Sequence, residues 1–186
     1  MITHIDLSSV LRRTVCELYS NLVTRPTGAA VRGEIEQQLA DLRQRSLTVI
    51  DFANVGLLDF SCADEVVAKL LLRYGAADAP SEAYFLFRGL TDSHLDAIES
   101  VLERHALALV VQLPDGSAQL IGALSDRQRE AWRALYDRGR VSLTDLPAVL
   151  NRLDGLADAE SIVDELRTRR LVMRLDDAYV AVGAAQ

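Results

Sequence analysis

The chain has 186 residues, 49% hydrophobic and 25% charged, the balance of a soluble globular protein with room for one domain or one plus a small second. No apolar run approaches the roughly 20 residues of a membrane span, and no basic-then-apolar stretch opens the chain, so a cytoplasmic protein with no membrane partner is expected. The formal net charge is −7: up to Gly122 there are 10 basic and 16 acidic residues, and after it 10 and 11, so neither half has the basic excess of a domain that holds a polyphosphate backbone. Lys69 is the only lysine. Cys16 and Cys62 lie too far apart in sequence for a redox pair or half a zinc site, and they read as buried thiols.

In chain order, Leu7, Val10, Leu11, Val15, Leu18 and Leu22 recur at helical spacing, with Asp6 or Ser8 as N-cap; this predicts a helix within Asp6 to Val23, although Val15, Leu22 and Val23 also suit a strand. After the break at Thr24-Arg25-Pro26, a second helix is predicted from Thr27 to Arg45 on the stripe Ala30, Val31, Ile35, Leu39 and Leu42. Thr48 to Phe52 reads as a buried strand. A loop carrying Asp59 follows, then a helix from Ser61 to Tyr74 and a surface loop, Gly75 to Ser81. Ala83 to Phe87 is a strand, Thr91 to His105 a helix capped by Thr91 or Asp92, and Leu107 to Gln112 a strand. Asp115-Gly116 turns that strand into Ala118 to Ile121. Strands alternating with helices predict an α/β sandwich whose small sheet is covered by helices mainly on one face.

The last third changes character. Three helices are predicted, from Ser125 to Gly139, Leu143 to Leu153 and Ala157 to Arg169. Two strand-like runs follow, Leu171 to Leu175 and Tyr179 to Val182, joined by Asp176-Asp177-Ala178. The chain therefore divides at 1–121 and 122–186.

The stretch Val49 to Tyr74, VIDFANVGLLDFSCADEVVAKLLLRY, places a strand, an Asp-and-hydroxyl loop and a helix N-terminus in order. Unpaired N–H groups of a first helical turn attract anions, and a Ser there can cap the helix or accept phosphate. This order resembles the STAS domain of anti-anti-sigma factors, and more closely the STAS-like variant whose loop reads Ser-x-Ala-Asp-Glu, here Ser61-Cys62-Ala63-Asp64-Glu65. Helix, helix, helix, hairpin, ending in DELRTRRLV and DDAYVAV, resembles a winged helix over about 60 residues.

The first resemblance implies a non-catalytic partner-switching protein. Its loop, Asp59, Phe60, Ser61, Cys62, Asp64 and Glu65, would dock on a kinase-like ATPase or a sigma-factor regulator. In anti-anti-sigma proteins that loop reads Asp-Ser-Ser-Gly, with the first Ser phosphorylated. Aligned on Asp59, this chain has Phe60 at the acceptor position, Ser61 after it and Cys62 in place of Gly, which leaves Ser61 as helix cap or as phosphoacceptor. Asp64 and Glu65 fall in the first helical turn, favoured there by the helix dipole or serving a docking surface. The phrase TRPTGAAVR sets Arg25, Thr27, Gly28 and Arg32 at a second helix start, a candidate anion site or a tight turn packed on the next strand.

The winged-helix resemblance raises DNA binding by a dimeric transcription regulator as the alternative, with Arg167, Arg169, Arg170 and Arg174 as contacts to DNA or to a partner. Asp158, Glu160, Asp164 and Glu165 precede those arginines on the same helix, and the wing candidate is Asp176-Asp177. Carboxylates there oppose a phosphate-lined groove. A scaffold role for both parts is the third reading. His94 and His105 sit three turns apart on one helix and, like His4, read as solvated or locally bonded. No Gly-rich phosphate loop, nucleophile elbow or metal-binding helix motif is present, so no catalytic residue, metal or cofactor is indicated.

Overall fold

The computed structural model describes residues 2–15, 20–41, 45–150 and 156–184. Its main sheet contains β1 (Ile2–Asp6), β2 (Ser46–Asp51), β3 (Ala83–Arg88), β4 (Ala108–Gln112) and β5 (Ala118–Gly122), side by side in chain order. The first four strands run parallel, and β5 returns antiparallel through the Asp115-Gly116 turn.

The crossovers carry α1 (Leu7–Thr14) and α2 (Arg25–Asp41) between β1 and β2. Between β2 and β3 one continuous helix is built from α3 (Phe60–Ala63), a π-helical turn (Asp64–Ala68) and α4 (Lys69–Gly75), and α5 (Asp92–Arg104) joins β3 to β4. Parallel crossovers of one hand that step in one direction lay their helices on one face. Accordingly Ile50, Phe85, Phe87, Leu109, Val111 and Ile121 meet Ile35, Val67, Leu70 and Ile98 there. Sheets of this kind bind small ligands where the strand order reverses, and this sheet has no such reversal.

The second face is covered by the chain's last third: α6 (Asp126–Arg138), β6 (Arg140–Ser142), a 3₁₀ turn (Leu143–Asp145), α7 (Leu146–Val149), α8 (Leu156–Thr168), β7 (Val172–Leu175) and β8 (Ala178–Ala181). Its strands form a separate antiparallel sheet in the order β6-β8-β7. Leu47, Val49, Tyr84, Leu86, Val110 and Leu120 of the main sheet share one core with Trp132, Leu135, Val163 and Leu166. The molecule is thus an α/β protein with helices on one face of its sheet and a helical unit with a small sheet on the other.

Several boundaries follow from caps. Thr91 and Ser125 each close a capping box, with His94 and Gln128 as reciprocal partners. Gly139 ends α6 at a positive φ of 75°. At the N-terminus one element is new and one expectation changes. Ile2 to Asp6 is a strand, and the first helix is short, starting at Leu7 on the Asp6 cap. Only Ile5 of β1 is buried, and the strand forms because β2 supplies its ladder. Cys16, the predicted end of α2 toward Arg45 and the predicted end of the middle C-terminal helix lie outside the described residues in part or whole.

Candidate functional site

The start of α3 is fixed by Asp59. Its Oδ1 accepts from Cys62 N and from Ser61 Oγ, both at 2.8 Å, and its Oδ2 accepts from Thr24 N at 3.1 Å. Asp59 is therefore the helix cap, and the Ser61 hydroxyl serves it as a donor rather than capping the helix itself. Burial works to raise the Asp59 carboxyl, but the bonds from Cys62, Thr24 and Ser61 outweigh it and hold the group below its ordinary value. The buried Cys62 thiol donates to Thr24 O at 2.9 Å, and burial followed by the Asp59 charge pushes its pKa up to about 12. Such a thiol is inert as a nucleophile at neutral pH.

Asp64 and Glu65, expected either as first-turn carboxylates favoured by the helix dipole or as part of a docking surface, lie behind the loop. Both are buried, with Val66, Val67 and Ala68 following them in the core. Neighbours on an α-helix diverge by roughly 100°, but the extra residue of a π turn shifts that phase. Arg25 Nη1 reaches Asp64 Oδ2 at 2.7 Å and Glu65 Oε1 at 2.8 Å. Arg32 Nη2 meets Glu65 Oε2 at 3.4 Å, and Lys69 Nζ pairs with Glu65 Oε1. His105 Nε2 completes the group at 2.7 Å from Asp64 Oδ1. The candidate anion site and the candidate loop are thus one place, where Arg25 and Arg32 receive carboxylates of this same chain. Burial alone would raise both carboxyls; Arg25 and His105 at Asp64, and Lys69 and Arg25 at Glu65, instead hold them low. The carboxylates in turn push the Arg25 guanidinium upward.

Gly28 allows this convergence. A Cβ there would meet Glu65 Cβ at 2.9 Å and Cys62 Cα at 3.0 Å, so only glycine lets α2 approach so closely. Thr27 holds the Thr24 hydroxyl at 3.1 Å. Thr24 itself has φ +82°, a strained value for a β-branched residue, and its carbonyl accepts from both Cys62 Sγ and Gly28 N.

The loop before Asp59 is tied at several points. Leu22 N donates to Leu57 O at 2.7 Å, and Asn21 Oδ1 accepts from Leu57 N at 3.0 Å. His94 is fully buried, not solvated: its Nδ1 accepts from Thr91 N, so Nε2 carries the proton and donates to Gly56 O at 2.8 Å. Pinned in this way, the loop presents Leu57, 59% exposed, and Phe60, 38% exposed, with the Arg104 guanidinium 5.7 Å from the Phe60 ring centroid. Sequence reasoning missed Leu57, Thr24, Lys69 and His105. The signal for Leu57 was the pair Leu57-Leu58 in a short loop, where one side chain alone can turn inward.

The C-terminal arginines are engaged within the molecule. Arg167 pairs with Asp164 at 2.7 Å, and Arg174 donates to Asp176 O at 3.3 Å. Arg169 Nη2 donates to Ala106 O at 3.0 Å and Ala123 O at 2.6 Å. Arg170 Nε donates to Tyr74 O at 2.9 Å, and its guanidinium lies 5.6 Å from the Tyr84 ring centroid. Arg169 and Arg170 thus clamp the last third onto the main sheet. At the hairpin tip, Asp176 and Asp177 have side chains 89% exposed.

No family model matches the chain, and no significant match exists among curated proteins or solved structures. Among the described residues, no helix is long and apolar enough to cross a membrane.

Proposed function

We propose that this chain is a non-catalytic regulatory protein that binds a protein partner through the surface formed by Leu57, Phe60, Ser61 and Arg25. The observation that carries the reading is the pinned loop: two apolar side chains held in solvent by bonds to two other segments, Ser20 to Leu22 and His94 of α5, form a preorganised anchor. Behind it, six ionisable side chains meet from α2, the π turn, α4 and the end of α5, so a push on Arg25 or Phe60 reaches α2, α4 and α5 together. Both carboxylates are held ionised by cations, which suits a structural relay better than proton transfer. The Ser61-Cys62-Ala63-Asp64-Glu65 resemblance supports partner switching of the STAS type, with a kinase-like ATPase or a sigma-factor regulator as the partner class.

The last third, read as a winged helix, serves this function as a fixed cover of the sheet. Its α8 turns Asp164 and Glu165 outward, and its hairpin tip is acidic, which disfavours duplex DNA. Affinity capture from nuclease-treated host lysate, with wild type and a Leu57→Asp/Phe60→Asp variant as parallel baits, tests the proposal. The expected result is one protein of the named class retained by wild type and lost with the variant. Equal retention by both, or recovery of DNA fragments alone when nuclease is omitted, would overturn it.

A further inference from the structure

A second surface, independent of the α3 loop, lies along the outer edge of β5. Ala123 N donates to Leu107 O and Leu113 N to Ser117 O, both at 2.8 Å, which places the odd-numbered residues of β5 in the ladder with β4. Leu120 and Gly122 therefore point their N–H and C=O groups away from the sheet. Arg129 of α6 takes the carbonyls: Nη1 donates to Leu120 O at 3.3 Å and Nη2 to Gly122 O at 2.6 Å. Among the described residues, the two outward N–H groups are left without a partner.

This edge forms the floor of a trough between α5, on one face of the sheet, and α6, on the other. The cavity measures about 430 Å³, and Glu99, Glu103, Gln119 and Arg129 line it beside the strand. Glu99 and Glu103 are one helical turn apart and exposed. Among the described residues, neither carboxylate has a hydrogen bond or an ion pair.

The geometry points to an extended, basic peptide segment of a partner protein as the occupant, laid along β5 as a sixth strand. A strand offers backbone donors and acceptors at the two-residue period of Leu120 and Gly122, and every second side chain then faces α5. An Arg or Lys at that position meets the two unpaired carboxylates, whereas an acidic segment adds like charge to them. The Arg129 fork spans two carbonyls two residues apart, so it occupies the place of two N–H groups of the added strand. It guards the edge against indiscriminate pairing and swings aside when a matching strand arrives.

The test uses the full chain and a fluorescein-labelled seven-residue peptide of alternating valine and arginine with blocked ends. Fluorescence anisotropy reads binding, and NMR hydrogen exchange reads the edge amides. Binding is expected to slow exchange at Leu120 and Gly122, and to weaken about tenfold in a Glu99→Gln/Glu103→Gln variant. Unchanged exchange at those two amides would overturn the proposal. So would equal binding by a peptide N-methylated at alternate residues, or by one with glutamate in place of arginine. Protection of the same amides by raising protein concentration alone would assign the edge to a second copy instead.

Discussion

Thr48 stands at the middle of β2, fully buried, and among the described residues its hydroxyl has no hydrogen-bond partner. An orphaned buried hydroxyl destabilises a fold, and valine has the same shape without the polar group. Thr48→Val is therefore expected to raise stability by about 1 kcal/mol, read from the urea midpoint at unchanged slope. A comparable loss would show that the hydroxyl is satisfied in solution. Glu65 is the opposite case, a buried carboxylate with three cationic partners. Glu65→Gln leaves those cations undercompensated and is expected to cost about 3 kcal/mol at pH 7. The pH dependence has a definite sign. Asp59, Asp64 and Glu65 titrate lower in the folded chain than in the unfolded one. Their contribution is complete above the unfolded carboxylate range and is lost as pH falls from about 4.5 through the depressed folded values. Urea titrations at a series of acidic pH values should give a shallower acid limb for Glu65→Gln than for wild type; parallel limbs would exclude Glu65 as a source.

At the scale of elements, close approach decides the site. Gly28→Ala forces α2 off the π turn by the width of a methyl group, with an expected loss of about 2 kcal/mol, measured by chemical denaturation. Arg170 follows α8 at φ +61°, where the Leu171 N–H to Leu166 O bond closes the helix end, a position that usually takes glycine. Its side-chain clamp on Tyr74 and Tyr84 compensates for that strain. Arg170→Ala loses the clamp and keeps the strain, while Arg170→Gly loses the clamp and relieves it. The glycine variant should stand about 1 kcal/mol above the alanine variant in thermal unfolding. These contacts also mark what was legible in the sequence. Helices α5 and α6 were, because Thr91 and Ser125 sit beside the groups they cap. Strands β2 to β5 were, as apolar runs set between turns. Strand β1 was not, because four of its five residues are not buried and its evidence lies in β2, some 45 residues on. Asp59, Ser61, Arg25 and Gly28 were legible as two candidate sites. Their union was not, because Arg25 meets Asp64 and Glu65 across 39 and 40 residues. The same holds for the π turn, whose inward carboxylates depend on cations from α2.

At the scale of the whole molecule, the last third is a wall of the core, whatever else it does. The main sheet turns Leu47, Val49, Tyr84, Leu86, Ala108, Val110, Ala118 and Leu120 toward it, and all of them are buried. Trp132, the only tryptophan, packs among them with its Nε1 donating to Leu171 O at 3.2 Å. A fragment ending at Ala123 would leave that apolar face open, a larger contiguous patch than soluble monomers tolerate. It is expected to self-associate or to bind hydrophobic dyes rather than remain a folded monomer. In the intact chain, a shared core predicts a single unfolding event. Trp132 fluorescence reports on the last third, and far-UV circular dichroism on the whole molecule. The two urea transitions should therefore coincide within error. Separate midpoints, or a fragment that stays monomeric and unfolds cooperatively, would show that the two parts fold independently. Arg169 and Arg170 would then be a releasable latch, and the basic residues that they withhold could reach a nucleic acid.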